Sequence, residues 1–208
     1  MIDNFDKIRN LLEFRSQDDF YFLQILQRKK DNEKGKVNGS NNNSRLIKAY
    51  YIKNLEYFDF VKPEVIELCK VFNARAGFNL NRRSFERMAL QHLKKVTDQL
   101  LNKSYNKVHK AYPSVVGAYN DDSDKKWIID IDKDQMIYLD IVRDLLNDPH
   151  LKPVGDKIII ELPSKSGLHI ITKPFDLSKW NLDLLKWNKI SLLNIEIHKN
   201  NPTNIYIP

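Results

Sequence analysis

The stretch Trp127-Ile128-Ile129-Asp130-Ile131-Asp132 constrains this chain more than any other. It is an apolar run of strand length that closes on two aspartates one residue apart. Side chains alternate between the faces of a strand, so Asp130 and Asp132 project from the same side. Two carboxylates that near repel each other unless a positive charge lies between them. A divalent cation such as Mg²⁺ or Mn²⁺ meets that need and prefers oxygen ligands. A buried strand that merely ends in a polar turn would carry the same pattern, so the surrounding segments must decide.

Those that follow are orderly. A helix is expected near 134–147, with Ile137, Ile141 and Leu145 on one side. Strands are expected at 157–162 and 168–172, joined by the loop Pro163-Ser164-Lys165-Ser166-Gly167. A helix capped by Ser178, a strand over 193–198 and a final strand over 203–207 complete the chain. The order β-α-β-β-α-β, with one extra strand, is the split βαβ pattern of a ferredoxin-like or RRM-like sheet, which makes the chain an α+β protein. In the usual arrangement of that sheet the first strand lies between the third and the fourth. Asp130 and Asp132 would then have His169 on one side and Glu196 on the other. His198 shares the predicted strand face of Glu196, where it either lines the site or caps the strand edge.

Charge separates the two halves. Residues 1–110 hold 22 Lys/Arg against 13 Asp/Glu, a net +9, while residues 111–208 hold 12 against 14, a net −2. The expected organisation is a basic N-terminal α/β module over 1–110, packed with an RRM-like catalytic module over 111–208. A basic half beside an acidic one suits an enzyme that grips a polyanion with one part and metal with the other. A merely basic surface gives the same sums.

Within the first half, a helix is expected over 3–15 and a hairpin of strands over 19–26 and 45–52 around a polar loop, 31–44. Pro63 reads as the opening of a helix that carries Val65, Ile66, Cys69 and Phe72. Residues 73–83 alternate polar and apolar, as a half-buried strand would, with Arg75, Gly77, Asn79 and Asn81 on the polar face. Arg75 and Arg82 are candidates for template contact, with solvent as the alternative. Ser84 should cap a helix whose core stripe is Phe85, Met88, Ala89, Leu93, Val96 and Leu100, with His92 in a structural role. Residues 102–125 read as a polar connection that includes Asp121, Asp122 and Asp124.

A lone cysteine, Cys69, excludes an internal disulfide and a Cys-rich zinc site. No apolar run is long enough to span a bilayer, so no membrane partner is expected. The first residues lack a basic start followed by an apolar core, so no signal peptide is expected and a cytoplasmic location is.

Three motifs in this order resemble those of the archaeo-eukaryotic primase superfamily, in particular small primase-polymerases of phages and mobile elements. They are Ile128-Ile129-Asp130-Ile131-Asp132, the loop Ser164-Lys165-Ser166-Gly167-Leu168-His169, and Ile195-Glu196. The resemblance spans about residues 127–208. It implies a primase/polymerase catalytic core that makes or extends primers by template-directed nucleotidyl transfer during replication. It also implies Mg²⁺ or Mn²⁺ on Asp130, Asp132 and Glu196, and the incoming nucleoside triphosphate on Ser164, Lys165, Ser166 and His169. The implied partners are a DNA template and primer, nucleoside triphosphates, and a helicase domain or protein. The third acid is Glu196 where the superfamily more commonly has Asp, and no zinc module is present. Two other readings stay open. One is a different palm-type nucleotidyl enzyme, such as a cyclase. The other is a non-catalytic RRM-like nucleic-acid-binding module, which would place stacking aromatics where this chain has Asp130, Asp132 and His169.

Overall fold

A computed structural model describes residues 1–31, 44–119, 124–187 and 195–208. Its strands are β1 (Ile2–Asp3), β2 (Asp19–Arg28), β3 (Ser44–Ile52), β4 (Arg75–Ser84), β5 (Trp127–Asp132), β6 (Ile158–Pro163), β7 (Gly167–Thr172), β8 (Glu196–His198) and β9 (Thr203–Ile207). The helices are α1 (Phe5–Arg9), α2 (Leu55–Val71), α3 (Phe85–Leu101), α4 (Ala111–Ala118), α5 (Leu139–Asn147) and α6 (Leu177–Trp187). The protein is α+β with antiparallel sheets. It divides into two compact units, Met1–Ser123 with Asn204–Pro208, and Asp124–Thr203. This division differs from a cut after residue 110, because α4 belongs to the first unit and so does the end of β9. Among the described residues, no helix is long and apolar enough to cross a membrane.

The first unit is built on a five-stranded sheet in the order β1-β9-β4-β2-β3. Its centre, β4, is buried along nearly its whole length, including Asn79, Asn81, Arg82 and Arg83. The alternation in this segment therefore does not mark a solvent face. A central strand has neighbours on both edges and cover on both faces, and its polar side chains must find partners inside. Arg83 does so by donating to the carbonyls of Val116 and Asn81, each at 2.7 Å.

Several expected boundaries move for physical reasons. The first helix stops at Arg9 instead of reaching residue 15. Beyond it, the Tyr21 hydroxyl donates to the Glu13 carbonyl and accepts from the Glu13 N–H, which holds that segment against β2. Helix α2 opens at Leu55, not at Pro63. Asn54 caps it by accepting from the Tyr57 N–H at 2.8 Å, and the buried series Phe58, Val61, Val65 and Cys69 runs straight past the proline. Ser84 does cap α3, accepting from the Arg87 N–H, and His92 meets the Tyr112 ring edge-on. Of the stripe expected on α3 only Met88 is buried, while Leu93 and Leu100 are exposed. The stretch after α3 is no simple connection. It forms a 3-10 turn (Tyr105–Lys110) and then α4, whose Val115 and Val116 pack with Phe20, Phe22 and Met88. Asp121 and Asp122 lie outside the described residues, as do residues 32–43 of the expected loop.

The second unit carries the sheet β6-β7-β5-β8. Its first strand, β5, lies between the third and the fourth. Ile129 and Ile131 face the helical side, in a core with Val142, Leu146, Ile170, Phe175 and Trp180. The helix expected near 134–147 is a 3-10 turn (Lys133–Tyr138) followed by α5. Arg143 of α5 ties this layer to β6 through a bidentate ion pair with Glu161, at 2.8 and 2.7 Å. The cap of α6 is Asp176 instead of Ser178, since the Asp176 carboxylate accepts from the N–H groups of Ser178 and Lys179. Strand β8 is described from Glu196. Residues 193 and 194 of the expected strand lie outside the described residues.

Cys69 is wholly buried, and burial pushes its thiol up to about 12. At pH 8 the native protein should react with a thiol reagent only as fast as it opens, and at once in denaturant. Immediate stoichiometric labelling of the native protein would contradict the packing of α2.

Candidate functional site

Strand alternation sends Ile129 and Ile131 into the core of the second unit and turns Asp130 and Asp132 to the opposite face. Antiparallel pairing then sets the neighbours. Asp130 stands opposite His169 on β7 and opposite Glu196 on β8, so one row across three strands reads His169, Asp130, Glu196. On one side of this row Ile128 pairs with Ile171 and His198. On the other side Asp132 pairs with Gly167. The face opens along the strand: Ile128 and Ile171 are buried, the Asp130 side chain is about one-third exposed, and Asp132 is exposed.

His169 is the most firmly placed side chain of the row. It is 8% exposed, its Nδ1 lies 2.8 Å from the Thr203 hydroxyl, and its Nε2 lies 3.4 Å from Asp130 Oδ1. A carboxylate can only accept, so a neutral ring facing Asp130 carries its proton on Nε2. Nδ1 is then left to accept from the Thr203 hydroxyl. Thr203 is itself fully buried, so the ring cannot swing without leaving a buried hydroxyl unpaired.

Asp132 sits where β5 gives way to the 3-10 turn. Its N–H donates to Gln135 Oε1 at 3.0 Å, and its Oδ1 accepts from the Ser166 hydroxyl at 3.4 Å. Ser166 can reach it because Ser164-Lys165-Ser166 is a tight hairpin connection between β6 and β7, closed by the Ser164 N–H to the Gly167 carbonyl at 3.0 Å. Gly167 is required for close approach. A Cβ there would collide with the Ile131 carbonyl oxygen. Lys165 is exposed on the same connection.

Glu196 is 64% exposed along its side chain, and its Oε2 lies 3.3 Å from His198 Nε2. His198 is thus a neighbour of the third acid, not a bare strand cap. Among the described residues no group of three or more His, Cys, Asp or Glu side chains is gathered as a ligand set. Asp130 and Asp132 offer two carboxylates on one face, and Glu196 is the third by register, though its carboxylate meets His198. An exposed Glu with three rotatable bonds reorients at little cost, so this donor set suits a hard divalent cation.

Arg75 and Arg82 lie in the first unit. Arg75 forms a largely buried ion pair with Asp31. Arg82 pairs with Asp19 at 3.4 Å and donates to the Glu13 carbonyl at 3.1 Å. The partners that sequence reasoning missed are Thr203 and Gln135. Gln135 had a local signal, three residues after an acidic cap. Thr203 had none, because it meets His169 across 34 residues of chain. A groove of about 450 Å³ in the same unit is lined by Ile141, Asp144, Leu145, Asn147, Asp148 and Pro149, none of them a candidate residue.

No known family, curated protein or solved structure matches the chain.

Gly167→Ala should force β7 away from β5 and cost about 1–3 kcal/mol, read as a lower denaturant midpoint. An unchanged midpoint would show that the contact of Gly167 with Ile131 is looser than described.

Proposed function

We propose that the chain is the catalytic core of a primase-polymerase that joins nucleotides on a nucleic-acid template. The observation that carries this reading is the row His169, Asp130, Glu196, with Asp132 and the Ser-Lys-Ser hairpin beside it. Two features support it further. The strand order β6-β7-β5-β8 in a βαββαβ segment supports the expected ferredoxin-like sheet. Asp130, Asp132 and His169 lie on the two central strands, β5 and β7, and Glu196 lies on the edge strand β8 beside β5, an arrangement that supports the primase resemblance.

In this reading Asp130, Asp132 and Glu196 hold Mg²⁺ or Mn²⁺. Such ions lower the pKa of an attacking hydroxyl and offset charge on the reacting phosphate. The remaining work belongs to the chain itself. His169, locked by Thr203, presents Nε2–H at the edge of the carboxylate row, where it can donate to a phosphate oxygen. Lys165 and the hydroxyls of Ser164 and Ser166 add a cation and donors from the neighbouring connection. The backbone closeness enforced by Gly167 keeps those donors beside Asp132. A polymerase also needs a grip on its template, which the positive charge of the first 110 residues supplies.

The test is a gel assay with labelled nucleotides on a primed and an unprimed template, with Mg²⁺ or Mn²⁺. Wild type should give template-dependent products. The double variant Asp130→Ala/Asp132→Ala should give none while keeping its fold. Wild type that binds DNA yet makes no product with either metal would remove the enzymatic reading and leave the RRM-like binding module.

A further inference from the structure

The first unit carries most of the positive charge, and much of it is already spent inside the protein. Arg9 pairs with Asp59, Lys48 with Glu64, Lys62 with Asp6, Arg75 with Asp31 and Arg82 with Asp19. One segment departs from this habit. Between Asp98 and Asp121 the chain contains no Asp or Glu, yet it contains Lys103, Lys107, His109 and Lys110. All four are exposed. Among the described residues, Lys103, Lys107 and Lys110 meet no carboxylate.

The backbone gathers these charges. Helix α3 ends in a Schellman motif, with the Ser104 N–H bonded to the Gln99 carbonyl at 2.8 Å and the Lys103 N–H to the Leu100 carbonyl at 3.0 Å. Lys103 occupies the left-handed position of that motif, at φ 53°. Glycine takes this position without strain and lysine does not. A lysine kept there is a local conflict of the kind found at working surfaces. The 3-10 turn Tyr105–Lys110 then packs back against α3. Residues three apart eclipse in such a turn, so Lys107 and Lys110 project from one side, roughly 6 Å apart along the axis. Beside them are exposed apolar groups, Leu101 at 77% and Tyr105 at 64%.

We propose that this end of α3 and the turn after it, residues 100–110, form a docking surface for single-stranded nucleic acid. Lysines that meet no carboxylate among the described residues match a phosphate backbone, and an exposed tyrosine offers a face on which a base can stack. A double helix would hide its bases from Tyr105. A turn of six residues is too short for the amphipathic helix that lies in a lipid surface. The surface needs neither metal nor the carboxylate row. It rests on the primase-polymerase reading only for the natural source of the strand, a template.

The test is fluorescence anisotropy with a labelled oligothymidylate and full-length protein, without divalent metal, over a range of salt. The variant Lys103→Glu/Lys107→Glu/Lys110→Glu is compared with Lys7→Glu/Lys70→Glu/Lys173→Glu, which changes net charge equally at exposed lysines elsewhere. The first should weaken binding by about tenfold or more and flatten the logarithmic salt slope by about 2. The second should do neither. Tyr105→Ala should weaken binding by about fivefold or more. Lys103→Gly should weaken binding while raising the melting temperature, which a purely structural role would not produce. A wild type that shows this binding pattern yet fails the primer-extension assay would count against the catalytic reading alone. Two results would overturn the surface: equal binding by both triple variants, or no oligonucleotide binding by a wild type that sediments with phosphatidylserine vesicles.

Discussion

A side chain on a β-strand can serve only one face of its sheet, and β5 uses that rule to separate two tasks. Ile129 and Ile131 hold the sheet to its helices, while Asp130 and Asp132 are presented on the other side. The neighbours of the aspartates follow from pairing register alone. A slip of one residue would exchange the core face for the polar face, so the packing of Ile129 and Ile131 enforces the alignment of Asp130 with His169 and Glu196. Stability and the candidate chemistry thus rest on the same backbone hydrogen bonds. Gly167 sharpens the constraint, because the strand beside Asp132 approaches too closely for any side chain.

The row is held unevenly along its length. His169 is fixed by a buried hydroxyl and faces Asp130, so its end is rigid before any ligand arrives. Asp132 and the Ser164–Ser166 connection lie at the open end, joined by one long hydroxyl contact. Glu196 is exposed and its carboxylate meets His198. In the proposed function a preorganised histidine would hold phosphate while the adaptable carboxylates turn inward on a hard cation.

Much of the second unit was legible because its signals are local. An apolar run closing on two aspartates one residue apart, a Ser- and Gly-rich connection and an apolar residue before an acid mark β5, the β6–β7 hairpin and β8. Their sequence order then carries the register. What failed has a common cause in context. Pro63 looks like a helix start because it suits a first turn, yet Asn54 caps α2 earlier and the buried series passes through. The alternation of β4 looks half-exposed, yet a central position buries both faces. The apolar stripe of α3 looks like core, yet Leu93 and Leu100 are exposed. The clasp of Thr203 on His169 joins residues far apart in sequence, and no local pattern announces it.

The proposed function requires that Asp130 anchor a divalent-cation site. Its most direct test is Mn²⁺ titration followed by electron paramagnetic resonance, comparing wild type with Asp130→Asn, each with and without a nucleoside triphosphate. Wild type should bind Mn²⁺, more tightly with the nucleotide present. Asp130→Asn should bind it roughly tenfold more weakly or worse while keeping the same melting temperature. Equal Mn²⁺ affinity in the two proteins, or none in wild type even with nucleotide, would contradict the account.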